Sequence, residues 1–156
     1  MKKKKNSSSK LITNKRATFD YFIEDTLTVG VQLTGAETKS LRFGHGDLKG
    51  SYITVKDNEL WLINASIHGT SGIPISDTEK TRARKILAKR KEIDKLIEKK
   101  TEGRTIIPIE IYTNGRYIKI KIGIGKGKKN YDKRQVLKQK YQNRSINQTL
   151  KNTFYK

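Results

Sequence analysis

Alternation of apolar and polar side chains is sharpest in RYIKIKIGIG, where Ile118, Ile120, Ile122 and Ile124 are separated by Lys119, Lys121 and Gly123. A period of two gives a strand with one buried face and one wet, basic face. RTIIPIEIYT precedes it and Asn114-Gly115 lies between, so the segment predicts a β-hairpin. Pro108 then belongs at an edge or a bulge. Upstream, ATFDYFIED and LTVGVQL read as two β-rich runs, with Gly30 marking a bulge or bend. SYITVKDNELWLINASI predicts a second hairpin, turning at Asp57-Asn58 and returning from Leu60 to Ile67. GAETKSLRFG predicts a short helix between Gly35 and Gly44, and residues 69–80 a loop. The stripe Ile86, Ile93, Leu96 and Ile97 predicts the longest helix, from about Thr81 to Lys100, ended by Gly103.

Six short strands with one small and one long helix between them predict a mainly β fold, a small antiparallel barrel of the oligonucleotide-binding (OB) type. The last residues carry Val136, Leu137, Tyr141, Ile146, Leu150 and Phe154, with i, i+4 pairs at Leu137/Tyr141 and Leu150/Phe154. That stripe is thin, and a helix built on it is marginal without a partner. The tail is therefore expected to be disordered when free and helical when bound. Three segments follow: a basic arm over residues 1–10, a barrel domain over 11–125 and a basic tail over 126–156.

Composition narrows the class. A chain of 156 residues, 33% of them hydrophobic, makes one domain with some of its length outside the core. The absence of cysteine removes disulfide and thiolate chemistry and points to the cytoplasm. MKKKKNSSSK has no apolar segment behind its lysines, so it is not a signal peptide, and no apolar run has the length of a membrane span. A monomer is expected.

Charge changes the picture more. The net charge is +20, and residues 1–10 hold five lysines without an acid, while residues 126–156 hold ten Lys or Arg against Asp132 alone. Two cationic arms on a milder body call for a polyanion, bound through counterion release. Neither arm has the apolar face of an interfacial helix, so the partner is nucleic acid and not a membrane.

Candidate chemistry is that of binding. His45 and His68 are the only histidines and have no metal-ligand spacing around them, so no metal or other cofactor is expected and an enzyme such as a nuclease is disfavoured. Gly123, Gly125 and Gly127 do not form a nucleotide loop, because no Gly-Lys-Ser/Thr follows. The wet face carrying Lys119 and Lys121 lacks the aromatic stripe of single-strand platforms, which favours recognition of folded RNA by shape and backbone. A general barrel-type RNA binder, ribosomal or cold-shock-like, is the second reading. Glu37 either steadies its helix through the dipole or fixes a neighbouring RNA-contact loop. Asp132 is placed to cap a tail helix, with Gln135 at the capping-box position. Tyr131 is either a staple against Val136 or a stacking platform for a base.

Four segments, NKRATFDYFIE, GAETKSLRFG, RARKILAKRKEIDKLI and GKGKKNYDKR, occur in an order and spacing that resembles the small protein B family, the SsrA-binding proteins of bacteria. The resemblance covers about residues 12–145. It implies an OB-type barrel that binds the tRNA-like domain of transfer-messenger RNA and brings it to stalled ribosomes for trans-translation. The tail would enter the vacant decoding centre and mRNA channel. By the same resemblance, Asn14, Lys15, Arg16, Leu87, Lys89, Lys126, Lys128 and Lys129 fall at RNA-binding positions; Glu37, Lys119 and Lys121 join them as RNA-contact candidates from the residue reading above, not from the resemblance. Tyr131, Asp132, Lys133 and Arg134 fall at the decoding-centre motif. The chain departs from the family at Thr28-Val29-Gly30, where many members have Glu-Ala-Gly, and at Lys89, where His or Asn is usual.

Overall fold

From the N-terminus the chain forms β1 (Ile12–Thr13), the single turn α1 (Ala17–Asp20), β2 (Tyr21–Val31), α2 (Gly35–Arg42) and β3 (Gly46–Asp47). It continues through β4 (Tyr52–Lys56), β5 (Glu59–Ile63), β6 (Ser66–Ile67), α3 (Asp77–Lys80) and β7 (Arg84–Leu87). Then come α4 (Arg90–Thr101), β8 (Thr105–Asn114), β9 (Tyr117–Gly127) and α5 (Asn130–Phe154). The computed structural model describes residues 11–70 and 72–154, so the basic arm over residues 1–10 lies outside the described residues.

All strand pairs are antiparallel. Seven strands form one sheet in the order β1-β8-β9-β2-β7-β5-β4, and β3 pairs with β6 apart from it. The sheet curls around a core that includes Val29, Leu60, Leu62, Ile86, Ile106 and the four alternating isoleucines of β9. β4 comes up against β8, but among the described residues no pairing joins the two ends of the sheet. The closed barrel expected from the sequence is thus an open, strongly curled sheet.

The predicted hairpins form. β8 and β9 pair from Thr105↔Gly125 to Asn114↔Tyr117, with the irregularity falling between Pro108 and Glu110, beside the proline. Asp57 and Asn58 have φ of 52° and 57°, the doubly left-handed turn that matches strand twist. The return strand is shorter than the pattern suggested, because Asn64 at φ 58° ends β5 before β6 begins.

Three readings need correction. ATFDYFIED and LTVGVQL make one turn of helix and one unbroken strand, β2, not two strands. The bulge in β2 falls between Ile23 and Asp25, whereas Gly30 keeps regular partners on both sides. The helix expected over residues 81–100 is a strand followed by a helix: β7 alternates buried Arg84 and Ile86 with Lys85 and exposed Leu87. Only from Arg90 does the chain turn helical, with the Glu92 carboxylate accepting from the Lys89 amide at 2.7 Å. Leu96 enters the core from this helix, and Gly103, at φ 81°, stops it.

Candidate RNA interface

The outer face of the sheet brings residues together that are far apart in sequence. Gly30 pairs with Leu87 on one side and Lys119 on the other, so these side chains share a row on that face. Leu87 is 51% exposed there. Thr28 pairs with Lys121, whose ammonium also lies 3.7 Å from Glu110 on β8. Lys89 is exposed at the start of α4, two residues beyond Leu87. Leu87 and Lys89 therefore sit on a strand and at a helix start, not along one helix.

Glu37 is placed inside the fold. It stands at the third position of α2, where Thr34 and Glu37 exchange a capping box. Its carboxylate accepts from Arg82 (2.8 and 2.6 Å) and from Arg84 (2.9 Å). Burial pushes the Glu37 carboxyl up, but the Arg82 hydrogen bonds, the Thr34 amide and the Arg84 charge outweigh it and hold the group below the usual carboxylate range. Arg84 is fully buried and spends its remaining donors on the carbonyls of Ala65, Arg82, Glu79 and Lys80. Together the three residues tie α2 and α3 to β7, the strand that presents Leu87.

Asn14 is buried as well. Its amide donates to the Pro108 carbonyl at 3.0 Å and its side-chain oxygen accepts from the Arg16 amide at 3.2 Å, so it builds the β1–α1 turn. Lys15 and Arg16 are the exposed members of that turn, and with Lys49 and Asp47 they line a groove of about 300 Å³.

Where the tail leaves the body, Lys126 and Gly127 still pair with Phe22 and Tyr21, so β9 extends two residues into the segment assigned to the tail. Lys128 donates its amide to the Asp20 carbonyl (2.8 Å) and its ammonium to the Thr18 carbonyl (2.7 Å), and lies 4.8 Å over the Phe22 ring. Asp132 occupies the third helical position of α5 and accepts from the Lys129 amide at 3.1 Å, three positions inward from the cap position expected. Gln135 donates to the Tyr131 hydroxyl at 2.6 Å. The Tyr131 side chain is nonetheless 68% exposed, with its ring open to a partner. Lys133 reaches back to Asp20 at 2.8 Å. Every residue from 137 to 146 is exposed, and the Leu150/Phe154 pair lies outside the described side chains.

Thr18, Asp20, Phe22, Arg82 and Arg84 are the residues that sequence reasoning missed. Their roles depend on partners dozens of positions away, and no local pattern marks them.

A family model described as SmpB protein matches residues 11–152. The chain belongs to the SmpB family. An SsrA-binding protein of Lysinibacillus sphaericus is 40% identical over 148 residues, covering 94% of this chain and 96% of that protein. One from Paracoccus denitrificans is 45% identical over 140 residues, covering 88% of this SmpB-family chain and 90% of its own length. A solved structure described as "tmRNA-SmpB: a journey to the center of the bacterial ribosome" is similar at a TM-score of 0.64 and 36% identity, covering 78% of this chain and 86% of that one.

Proposed function

We propose that the chain is the RNA-binding adaptor of trans-translation: it binds the tRNA-like domain of transfer-messenger RNA and brings that RNA to stalled ribosomes. The structural likeness to an SmpB in a transfer-messenger RNA complex, at 36% identity over most of both chains, carries this reading. Its partners are the RNA and the ribosome, its place of work is the cytoplasm, and its contribution is binding, not catalysis.

The curled sheet serves as an OB-type body whose outer row of Leu87, Gly30 and Lys119, with Lys89 beside it, meets the folded RNA. Lys15 and Arg16 add a second cationic site. Strand β9 links the two ends of the adaptor, because Lys119 lies on the RNA face and Lys128 at the tail root, roughly 30 Å apart at 3.3 Å per residue. The tail enters the vacant decoding centre, with Tyr131 stacking on a base and Arg134 neutralising phosphate. Exposed as it is beyond its first turns, the distal part of α5 melts in the free protein and forms in the channel.

The test is to sequence the RNA that co-purifies with the chain from its native cell. Transfer-messenger RNA should dominate. A pool of unrelated messages or ribosomal fragments would replace this reading with that of a general RNA binder.

A further inference from the structure

Asp20 carries no role in the reading above, yet the tail root converges on it. Its carbonyl holds the Lys128 amide, its carboxylate holds the Lys133 ammonium at 2.8 Å, and its neighbour Thr18 holds the Lys128 ammonium. The Asp20 and Lys133 side chains are 27% and 31% exposed, so the pair is sheltered from solvent more than an ordinary surface bridge.

We infer that Asp20 is a positioning residue for the tail, and that Lys133 works inside the protein as its partner instead of neutralising ribosomal phosphate. The inference rests on the proposed entry of the tail into the decoding centre. The carbonyl contacts of Lys128 fix one point of the joint, and the Asp20–Lys133 pair fixes a second point one helical turn along. Two points define a direction. As a helix, α5 has 25 residues, about 37 Å, so a tilt of about 10° at its root moves the far end by roughly 6 Å. A weak bond at the root thus governs a large displacement, and it leaves Tyr131 and Arg134 pointing outward.

The experiment is a charge exchange in the full-length chain, comparing Asp20→Lys, Lys133→Asp and the double variant. Peptide tagging is measured in a reconstituted system with a message lacking a stop codon, beside affinity for transfer-messenger RNA. Each single reversal should lower tagging by at least roughly two- to fivefold, the range that loss of such a pair gives, with RNA affinity unchanged. The double variant should recover tagging to within about twofold of the parent. Lys133→Asp that stays defective with Lys at position 20 would mean that Lys133 acts on RNA, and full tagging by Asp20→Lys would remove the brace; either result overturns the inference. A second readout does not depend on tagging. The chain has no cysteine, so Lys56→Cys and Gln139→Cys take spin labels cleanly. The label distance, measured with transfer-messenger RNA and ribosomes present, should broaden in each single reversal and narrow again in the exchange. A distribution indifferent to position 20 would also overturn the inference. A parent protein that fails to support tagging at all would instead count against the adaptor reading, with the label distances still judging the brace.

Discussion

Gly30 and Leu87 stand opposite each other where β2 meets β7, so close that a Cβ on Gly30 would lie 3.2 Å from the Leu87 Cβ. That contact involves the fixed root of the leucine side chain, so Gly30→Ala must move β7 itself. We expect a stability loss of about 1 kcal/mol, at the low end for overpacking, together with weaker binding of the tRNA-like domain. Leu87→Ala separates the two effects. Removing an exposed side chain should leave the unfolding free energy within about 0.5 kcal/mol of the parent while RNA affinity falls. Equal affinities of Leu87→Ala and parent would take the RNA off this face.

Glu37 ties acid sensitivity to the same strand. Its carboxyl is held below its ordinary value of 4.5 in the folded protein, so the folded state binds its proton less readily than the unfolded state. The stabilisation is complete above pH 4.5 and is lost as the pH falls through the lower folded value. Glu37→Gln should flatten the fall in stability on the acid side. It should also cost about 3–5 kcal/mol at neutral pH, because Arg84 is left buried without its counter-charge. Urea melts at several pH values provide both readings.

Lys89→Glu reverses a charge beside Leu87. A glutamate at the start of α4 suits the positive end of the helix, so the fold should hold. Binding of transfer-messenger RNA should weaken, and the plot of log affinity against log salt should become shallower by roughly 0.7 to 0.9 for a lost phosphate contact. Titrations at four salt concentrations would show this; an unchanged slope would place Lys89 away from the RNA.

Tyr131→Ala with Arg134→Ala should divide the two ends of the adaptor. Among the described residues neither side chain bonds to the body, so affinity for transfer-messenger RNA should stay near that of the parent. Tagging should fall steeply, since a stacked base contact contributes roughly 1–3 kcal/mol. Tagging at the parent rate would reduce the segment to a solvated linker.

The hairpin of β8 and β9 was legible because alternation and the Asn114-Gly115 turn are both local signals. The strand β7 was not. Arg84 in the sequence reads as one more charge on an exposed helix face, and only the Glu37 carboxylate and four carbonyls explain how it is buried in a strand. β1 and β3, at two residues each, are too short to carry any period. At the site, the exposed cations were visible from charge runs, but the inward placement of Asn14 and Glu37 follows from partners on β8 and β7. The Asp20–Lys133 pair spans more than a hundred residues, and nothing near either residue announces the other.

The pairing of β2 with β9 sets a delay during synthesis. β2 is complete at Val31, but the strand that covers most of its length does not begin until Tyr117. At 5–20 residues per second, roughly 4 to 17 s separate the two. Through that interval β2 has an unpaired edge, and Leu27, Val29 and Val31 wait for the isoleucines that will cover them. The protein that answers stalled ribosomes is thus itself exposed to a pause late in its own translation, before β9 has emerged.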